Sequence, residues 1–282
     1  MPRDLADVFH YFLPETGTDT EPTTKGRLVG SQAPRADHSD ESAADRPVPT
    51  SVPPPLPILG LPIGNRDVLR AALAWNLTIE TARLGASAVI LAPAGEAGSP
   101  LWPEPGPGPL GTELILSSAT NLTDLHRAAS AVAAERASRA RRGGIVFVRI
   151  PPTWLEGDAS QTSPFRWLLL LTPANRRDLD EAFAMAENLV ASNPVAEVGV
   201  TIHGVTTIDE ARHAFETLSR RVQKRLGLVL ASYGLLVDDL DVYRAIAAQR
   251  PIGLAHPQAP AARALMDVAR LLYEDARSRV LG

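Results

Sequence analysis

The 282-residue chain contains no cysteine, which excludes disulfide bonds, cysteine-based metal sites and cysteine nucleophiles. It has no run of about 18 apolar residues, the length that a membrane-spanning helix needs. Its first residues do not combine a basic stretch with an apolar one, as a secretion signal would. The histidines show no paired ligand spacing, so we expect no metal site. These absences predict a cytoplasmic protein.

A strongly basic region is also missing. The net charge of −4 arises within residues 1–50, which carry nine acidic side chains against five Lys and Arg, while the rest is balanced. Two basic clusters exist, and we expect them to be solvated helix faces, with nonspecific DNA binding as the alternative. They comprise Arg136, Arg139, Arg141 and Arg142, and Arg220, Arg221, Lys224 and Arg225. We therefore expect neither DNA nor a membrane as a partner.

The first 54 residues divide into two parts. Residues 1–15 place apolar side chains at helical spacing before Pro14. Residues 16–54 are rich in Thr, Ser, Asp, Glu and Pro, which predicts a disordered acidic linker. Such a tethered apolar segment is typical of a partner-binding motif, and the alternative is a helix that docks on its own domain. The expected contact residues are Leu5, Val8, Phe9, Tyr11, Phe12 and Leu13.

Residues 55–282 alternate between apolar strands and helices. Strands are predicted at 56–61, 88–91, 113–116, 145–148, 167–171, 198–202, 229–231 and 252–254, with a loop over 95–111. Helices are predicted up to Leu84 and over 123–142, 178–191, 207–226, 242–249 and 259–280. This order predicts an α/β domain with a mostly parallel central sheet and helices on both faces.

The last third of this domain resembles the MinD/ParA superfamily of P-loop ATPases, and within it the flagellar-number regulators of the MinD group. The resemblance rests on three stretches: 198–205 followed by a helix, 233–239 against the family's Gly-x-Ile-Pro-x-Asp, and 250–263 with its prolines. It covers about residues 56–280, and implies a P-loop NTPase-like fold of the MinD/ParA type.

The resemblance places the family's phosphate loop at residues 65–72, because Asn76-Leu77 and Gly85 keep the family spacing. A phosphate loop needs glycines, a Lys for the β- and γ-phosphates, and a hydroxyl for Mg²⁺. Here the positions include Asn65, Arg66, Asp67, Arg70 and Ala71. They offer no glycine and no hydroxyl, while Asp67 adds negative charge where phosphate would lie.

Three more family positions have lost their functional side chains. Ala92 follows the strand that should lead to a water-positioning Asp, and Arg149 replaces the carboxylate that organises Mg²⁺. His203 replaces the Asn that contacts adenine; it is either a satisfied sheet-edge histidine or a purine-stacking one. For Arg149 an ion pair is favoured over anion binding. These losses together predict a pseudo-ATPase without a cofactor.

The resemblance implies a non-catalytic regulator or scaffold that controls the position or number of a structure such as flagella. It would bind a protein through residues 1–15 and pair with itself or with an active MinD-like paralogue. A partner would recruit it to a pole or a membrane-associated complex. The alternatives are an active ATP-binding enzyme with an unusual phosphate loop, which would bind ATP and Mg²⁺, and a ParA-like DNA-binding positioning protein.

Overall fold

The computed structural model of the protein describes residues 53–96, 103–156 and 163–281. The predicted partner motif at residues 1–15 and almost all of the predicted linker at 16–54 lie outside these ranges. The description that follows therefore concerns the predicted α/β domain.

Eight strands of the described chain form one sheet in the order β3-β4-β2-β5-β1-β6-β7-β8. All neighbours are parallel except β3 and β4, which pair in antiparallel fashion. The predicted fold class is therefore confirmed. The strands are β1 Ile58–Pro62, β2 Ser87–Pro93, β3 Gly106–Pro107, β4 Glu113–Ser117, β5 Gly144–Ile150, β6 Trp167–Pro173, β7 Glu197–Val205 and β8 Ala231–Val237.

The central strands are apolar along most of their length because helices cover both faces of the sheet. Every residue of β5 is buried, and β5 pairs with β1 on one side and β2 on the other. In the β1–β5 register, Leu61 lies beside Arg149. This register places an arginine at the centre of the sheet.

Seven helices connect and cover the strands in the described ranges. They are α1 Val68–Arg83, α2 Leu122–Ala137, α3 Arg176–Ser192, α4 Ile208–Leu226, α5 Leu240–Ala247, α6 Ile252–Ala255 and α7 Pro260–Leu281. Polar N-caps start five of them: Asp67, Asn121, Asn175 and Thr207 each accept the backbone N–H three residues ahead, and Asp239 accepts the one two residues ahead. At the cap of α4, Glu210 also accepts the N–H of Thr206, and α4 ends at Gly227 in the left-handed conformation.

The long helix α7 packs on the core rather than lying free. Its residues Leu265, Val268, Ala269 and Leu272 are fully buried, as the periodicity predicts. No helix in the described ranges is long and apolar enough to cross a membrane.

Two strand predictions are wrong. The predicted strand at 252–254 is helix α6, whose first N–H is bonded to the side-chain oxygen of Asn76. A three-residue apolar run does not distinguish a strand from a buried helical turn. The predicted strand at 229–231 starts only at Ala231 and continues to Val237 as β8. Its register against β7 shifts near Gly234, which has φ +91°, so the glycine marks a bulge that interrupts the apolar pattern.

The predicted loop over 95–111 needs a smaller correction. Its described part contains the two-residue strand β3, which forms the antiparallel edge of the sheet. Short edge strands of this kind carry little periodic signal in a sequence that is rich in Pro and Gly.

Candidate functional site

The turn between β1 and α1 lies where the phosphate loop of the resembled family is expected. It is short and closed by backbone hydrogen bonds, from Ile63 N to Ile150 O (3.0 Å) and from Asp67 N to Gly64 O (3.2 Å). Asn65 and Arg66 are exposed at its tip. Glycine is needed where backbone N–H groups wrap closely around phosphate, and the resemblance places Arg66 at a position of that kind.

Asp67 is the N-cap of α1, and its Oδ1 accepts the backbone N–H of Arg70 at 2.9 Å. A helix N-terminus attracts anions because its first N–H groups have no partner within the helix. In this protein the anion is a carboxylate of the chain itself. It accepts one of the N–H groups that the start of this helix leaves without a partner inside the helix.

Arg70 stands where the family has its phosphate-binding lysine, and its guanidinium lies between two carboxylates. Its Nε is 3.2 Å from Asp67 Oδ2, and its Nη2 is 3.6 Å from Asp178 Oδ1. The side chain is only 21% exposed, so these contacts are partly desolvated. The following residue, Ala71, is buried and presents a methyl group where Mg²⁺ coordination needs a hydroxyl.

Arg149 lies at the end of β5 and is 1% exposed. Its Nε donates to the carbonyl oxygen of Ile63 at 3.1 Å, and this hydrogen bond stabilises the β1–α1 turn. The neighbouring strand β2 contributes Ala92, one residue beyond the pairing of Leu91 with Val148. A guanidinium and a methyl group therefore stand where a magnesium site would need carboxylates.

His203 lies near the end of β7 and is 4% exposed. Burial, together with the nearby positive charge of Arg70, lowers its pKa to about 4, and Asp178 opposes this shift in part. The imidazole is therefore neutral at pH 7. Within the described ranges its Nε2 has no hydrogen-bond partner, so the expectation of a satisfied histidine is wrong for this atom.

The space beside His203 is small. It is a cavity of about 20 Å³ between the start of α1, the ends of β7 and β8, and α5. That volume accommodates about one water molecule, whereas pockets for ligands of nucleotide size measure roughly 300–1,000 Å³. Its walls are Leu69, Leu73, His203, Gly204, Leu236, Val237, Asp238, Asp239, Val242, Tyr243, Ala261 and Leu265.

The structure brings most of the predicted site residues to this edge of the sheet. Asp67, Arg70 and His203 share the electrostatic environment of Asp178, a residue that the sequence analysis missed. The only sequence signal for Asp178 is its spacing from the N-cap Asn175, whose side chain accepts its backbone N–H at 3.1 Å. The predicted partner-binding residues lie outside the described ranges.

These residues do not fit Mg²⁺–ATP. The helix N-terminus that would receive the phosphates already binds Asp67, and the position of the magnesium-organising carboxylate holds Arg149. The cavity beside His203 is too small for a purine base. The arrangement forms a compact network of charges and hydrogen bonds that stabilises the β1–α1 turn.

Fold and topology together define a class: an α/β domain of the P-loop NTPase type with a mostly parallel sheet. No protein-family model matches the sequence, and no curated protein matches it significantly. Among solved structures, the domain is similar to MinD of Aquifex aeolicus in a MinC:MinD complex, with TM-score 0.51 and 15% identity over 77% of this chain and 95% of that one.

A second similar structure is MinD of Pyrococcus horikoshii OT3 complexed with Mg-ADP. It has TM-score 0.51 and 9% identity, over 77% of this chain and 95% of that chain. Aquifex aeolicus MinD is also similar in a separate structure, with TM-score 0.50 and 15% identity over 77% and 96% of the two chains. The described domain therefore has the fold of the MinD/ParA ATPases.

Proposed function

We propose that this protein is a non-catalytic, MinD/ParA-like regulator or scaffold that acts through protein–protein interaction. It would control the position or number of a cellular structure, such as flagella. The observation that carries the proposal is the occupation of the α1 N-terminus by Asp67. An ATPase of this fold needs that place for phosphate.

The electrostatics of the turn support this proposal. A phosphate approaching α1 meets the carboxylate of Asp67, and the Arg70 guanidinium is already shared between Asp67 and Asp178. A magnesium ion would meet the guanidinium of Arg149 in place of an acid. Both charges of Mg²⁺–ATP are therefore opposed at the places where they would bind.

A regulator without this ligand keeps one conformational state. Nucleotide shifts an equilibrium only by its differential affinity for the two states, and a protein that does not bind it gains no bias. We therefore propose a constitutive binder that pairs with itself or with an active paralogue of the same fold. The similar Aquifex structure contains MinD in a complex with MinC, which supports protein partners as a mode of action.

The decisive experiment is calorimetric titration of the purified full chain with a Mg²⁺–ATP analogue, beside ADP and GTP. We expect no binding heat at millimolar nucleotide. Micromolar binding would overturn the proposal and favour an active enzyme with an unusual phosphate loop, or one completed by a second subunit. In that case Arg70→Ala would abolish binding, whereas Arg66→Ala at the exposed tip would serve as a matched control.

The partner-binding role of residues 1–15 has a separate test. We expect the full chain to retain at least one specific partner in a pull-down, and deletion of residues 1–15 to release it. Retention of every partner by the deleted chain would overturn this part of the proposal. The sequence offers a point-variant control, since Phe9→Asp and Phe12→Asp alter the apolar stripe and keep the length of the chain.

DNA binding finds less support because both basic clusters are partly neutralised. Arg221 pairs with Asp180 and lies 4.0 Å from the centroid of the Phe183 ring. Arg136 pairs with Glu113, and Arg139 with Glu135. A salt-dependent DNA affinity that disappears when Arg220, Arg221, Lys224 and Arg225 are neutralised would restore this alternative.

A further inference from the structure

A larger pocket lies at the other end of the sheet, next to the amino-terminal ends of the parallel strands. Its volume is about 510 Å³, and it lies at the first residues of β6, β7 and β8, beside the last turns of α7. Most of the lining side chains are apolar. They include Trp167, Ala196, Val198, Leu228, Val229 and Tyr233.

A glycine gives this pocket its shape. A Cβ atom added at Gly199 would lie 2.2 Å from Cε2 of Tyr233, so only glycine lets the tyrosine ring lie against β7. The ring is 1% exposed. The aromatic wall is therefore fixed by close packing against the strand.

The polar atoms of the two aromatic side chains are satisfied within the domain. Trp167 Nε1 donates to the Tyr233 hydroxyl at 3.1 Å, and this hydroxyl donates to Asp275 Oδ2 at 2.6 Å. Burial and the Asp275 carboxylate raise the pKa of Tyr233, so the phenol stays protonated. Both aromatic side chains are almost fully buried, so the accessible apolar surface of the pocket comes mainly from Leu228 and Val229.

Arg279 borders the pocket from α7. It pairs with Glu197 at the start of β7, and its guanidinium carbon lies 4.5 Å from the centroid of the Trp167 ring. Glu197 and Asp275 give the rim two carboxylates against this one cation. The pocket thus combines an apolar interior with a charged margin.

Three exposed valines lie in the wall of this pocket or next to a wall residue in sequence. Val195 is 67% exposed and Val229 is 48% exposed, and they lie on the segments that lead into β7 and β8. Val280, next to Arg279 on α7, is 38% exposed. Clustering of large exposed apolar residues at a pocket is typical of a surface that another segment covers.

The described chain begins at this same edge. Leu56 N bonds to Ala133 O, and Pro57 O accepts the N–H of Val146 just before β1 starts. Strand β1 is the direct neighbour of β6, which begins with Trp167. Residues 1–52 are therefore attached one strand away from the pocket wall.

We infer that the apolar stripe Leu5, Val8, Phe9 and Phe12 of the same chain binds this pocket. Three strand spacings separate β1 from β8, about 15 Å. The predicted linker of some forty residues would have a root-mean-square reach of about 35 Å, so it spans this distance easily. Tethering then supplies the segment at an effective concentration of roughly millimolar.

The inference extends the proposed function without depending on the missing nucleotide site. The side chains that would recruit a partner are the ones that fill the pocket. A partner must therefore compete with the protein's own domain, which sets a threshold for recruitment.

The absence of cysteine permits a direct test in the full chain. Ala6→Cys is combined with Val229→Cys at the pocket, or with Leu240→Cys, an exposed residue at the opposite edge of the sheet. Under mild oxidation of dilute protein, we expect the intramolecular disulfide to form at least about tenfold faster with Val229→Cys, because docking raises the local thiol concentration. Non-reducing electrophoresis measures both rates.

The control adds Phe9→Asp and Phe12→Asp to the Ala6→Cys and Val229→Cys pair. We expect the rate to fall to that of the Leu240→Cys pair, while the folded domain is unaffected because both changes lie outside it. A rate ratio below tenfold, or one that survives the two aspartates, would overturn the inference. So would cross-linked dimers in place of monomers, since the occupant would then be a second copy. None of these outcomes alters the nucleotide titration.

Discussion

The two ends of the parallel strands differ in the cavities that lie beside them. We call the carboxyl-terminal ends the carboxyl edge and the amino-terminal ends the amino edge. The edge where the strands end holds a cavity of about 20 Å³ beside His203 and a second one of about 280 Å³ beside Arg70 and Asp178. The edge where the strands begin holds a pocket of about 510 Å³ with exposed valines around it. In open parallel α/β sheets, ligands usually bind beyond the carboxyl ends of the strands.

Under the proposed function, this difference teaches that a fold can keep its architecture while its customary binding edge serves to stabilise the domain. The charged residues at the carboxyl edge satisfy one another and the backbone of the β1–α1 turn. Substitutions there should therefore affect stability. The amino edge holds the larger pocket, so substitutions at its rim should affect association.

The largest effect is expected at the buried guanidinium of the carboxyl edge. Arg149→Ala should lower the free energy of unfolding by about 2–5 kcal/mol, since it removes a large side chain from the core. Arg149→Met keeps most of the volume but leaves the Ile63 carbonyl without this donor, so a loss of about 1–2 kcal/mol is expected. Urea denaturation measures both values, and an alanine variant as stable as the parent would contradict the structural role.

The next largest loss of stability is expected at the aromatic wall of the amino edge. Gly199→Ala should cost about 1–3 kcal/mol of unfolding free energy, because the new methyl group overlaps the buried Tyr233 ring. Gly64→Ala is the matched control, since a Cβ there meets nothing within 4 Å, and its effect should stay within about 0.5 kcal/mol. Equal losses at the two glycines would show that the ring moves aside.

A third prediction concerns pH. His203 has a folded-state pKa of about 4 against an ordinary 6.5, so the unfolded chain takes up a proton that the folded protein refuses. Its contribution to stability is complete above the unfolded pKa and falls as the pH drops toward 4. From pH 7 to 5 this amounts to about 1–2 kcal/mol. Denaturation curves of His203→Gln should lack this component, and identical pH profiles would refute it.

The smallest effect is expected at the N-cap of α1. Asp67→Ala should lower the free energy of unfolding by about 1 kcal/mol, because the N–H of Arg70 loses its acceptor. Asp67→Ser keeps a capping oxygen without the charge and should recover most of the loss. Thermal denaturation compares the three proteins. A serine variant as unstable as alanine would assign the effect to the ion pair with Arg70.

Much of the fold could be predicted because its signals are local. The buried strands, the cap at Thr207 and the stop at Gly227 follow from periodicity and backbone chemistry. Helix α6 could not be predicted, since its first N–H is satisfied by Asn76, a residue 176 positions away in sequence. Only a folded chain brings these two together.

The candidate site could likewise be predicted only in part. The family spacing indicates Asp67, Arg70 and Arg149, but it does not reveal that Arg70 reaches Asp178 on α3. The pocket at the amino edge has no sequence motif, because its walls come from the starts of three strands and the end of one helix. Such a site exists only through the sheet topology.

The capping carboxylate of Asp67 has a consequence for timing as well as for stability. A phosphate at a helix N-terminus is a ligand with an association rate, a dissociation rate and a dependence on its concentration in the cell. Asp67 belongs to the same chain as the helix that it caps, so its contact does not depend on the concentration of a ligand. Under the proposed function, the β1–α1 turn keeps the same anion through every change in nucleotide supply. Any timed change of state in this protein would then be set by other parts of the chain.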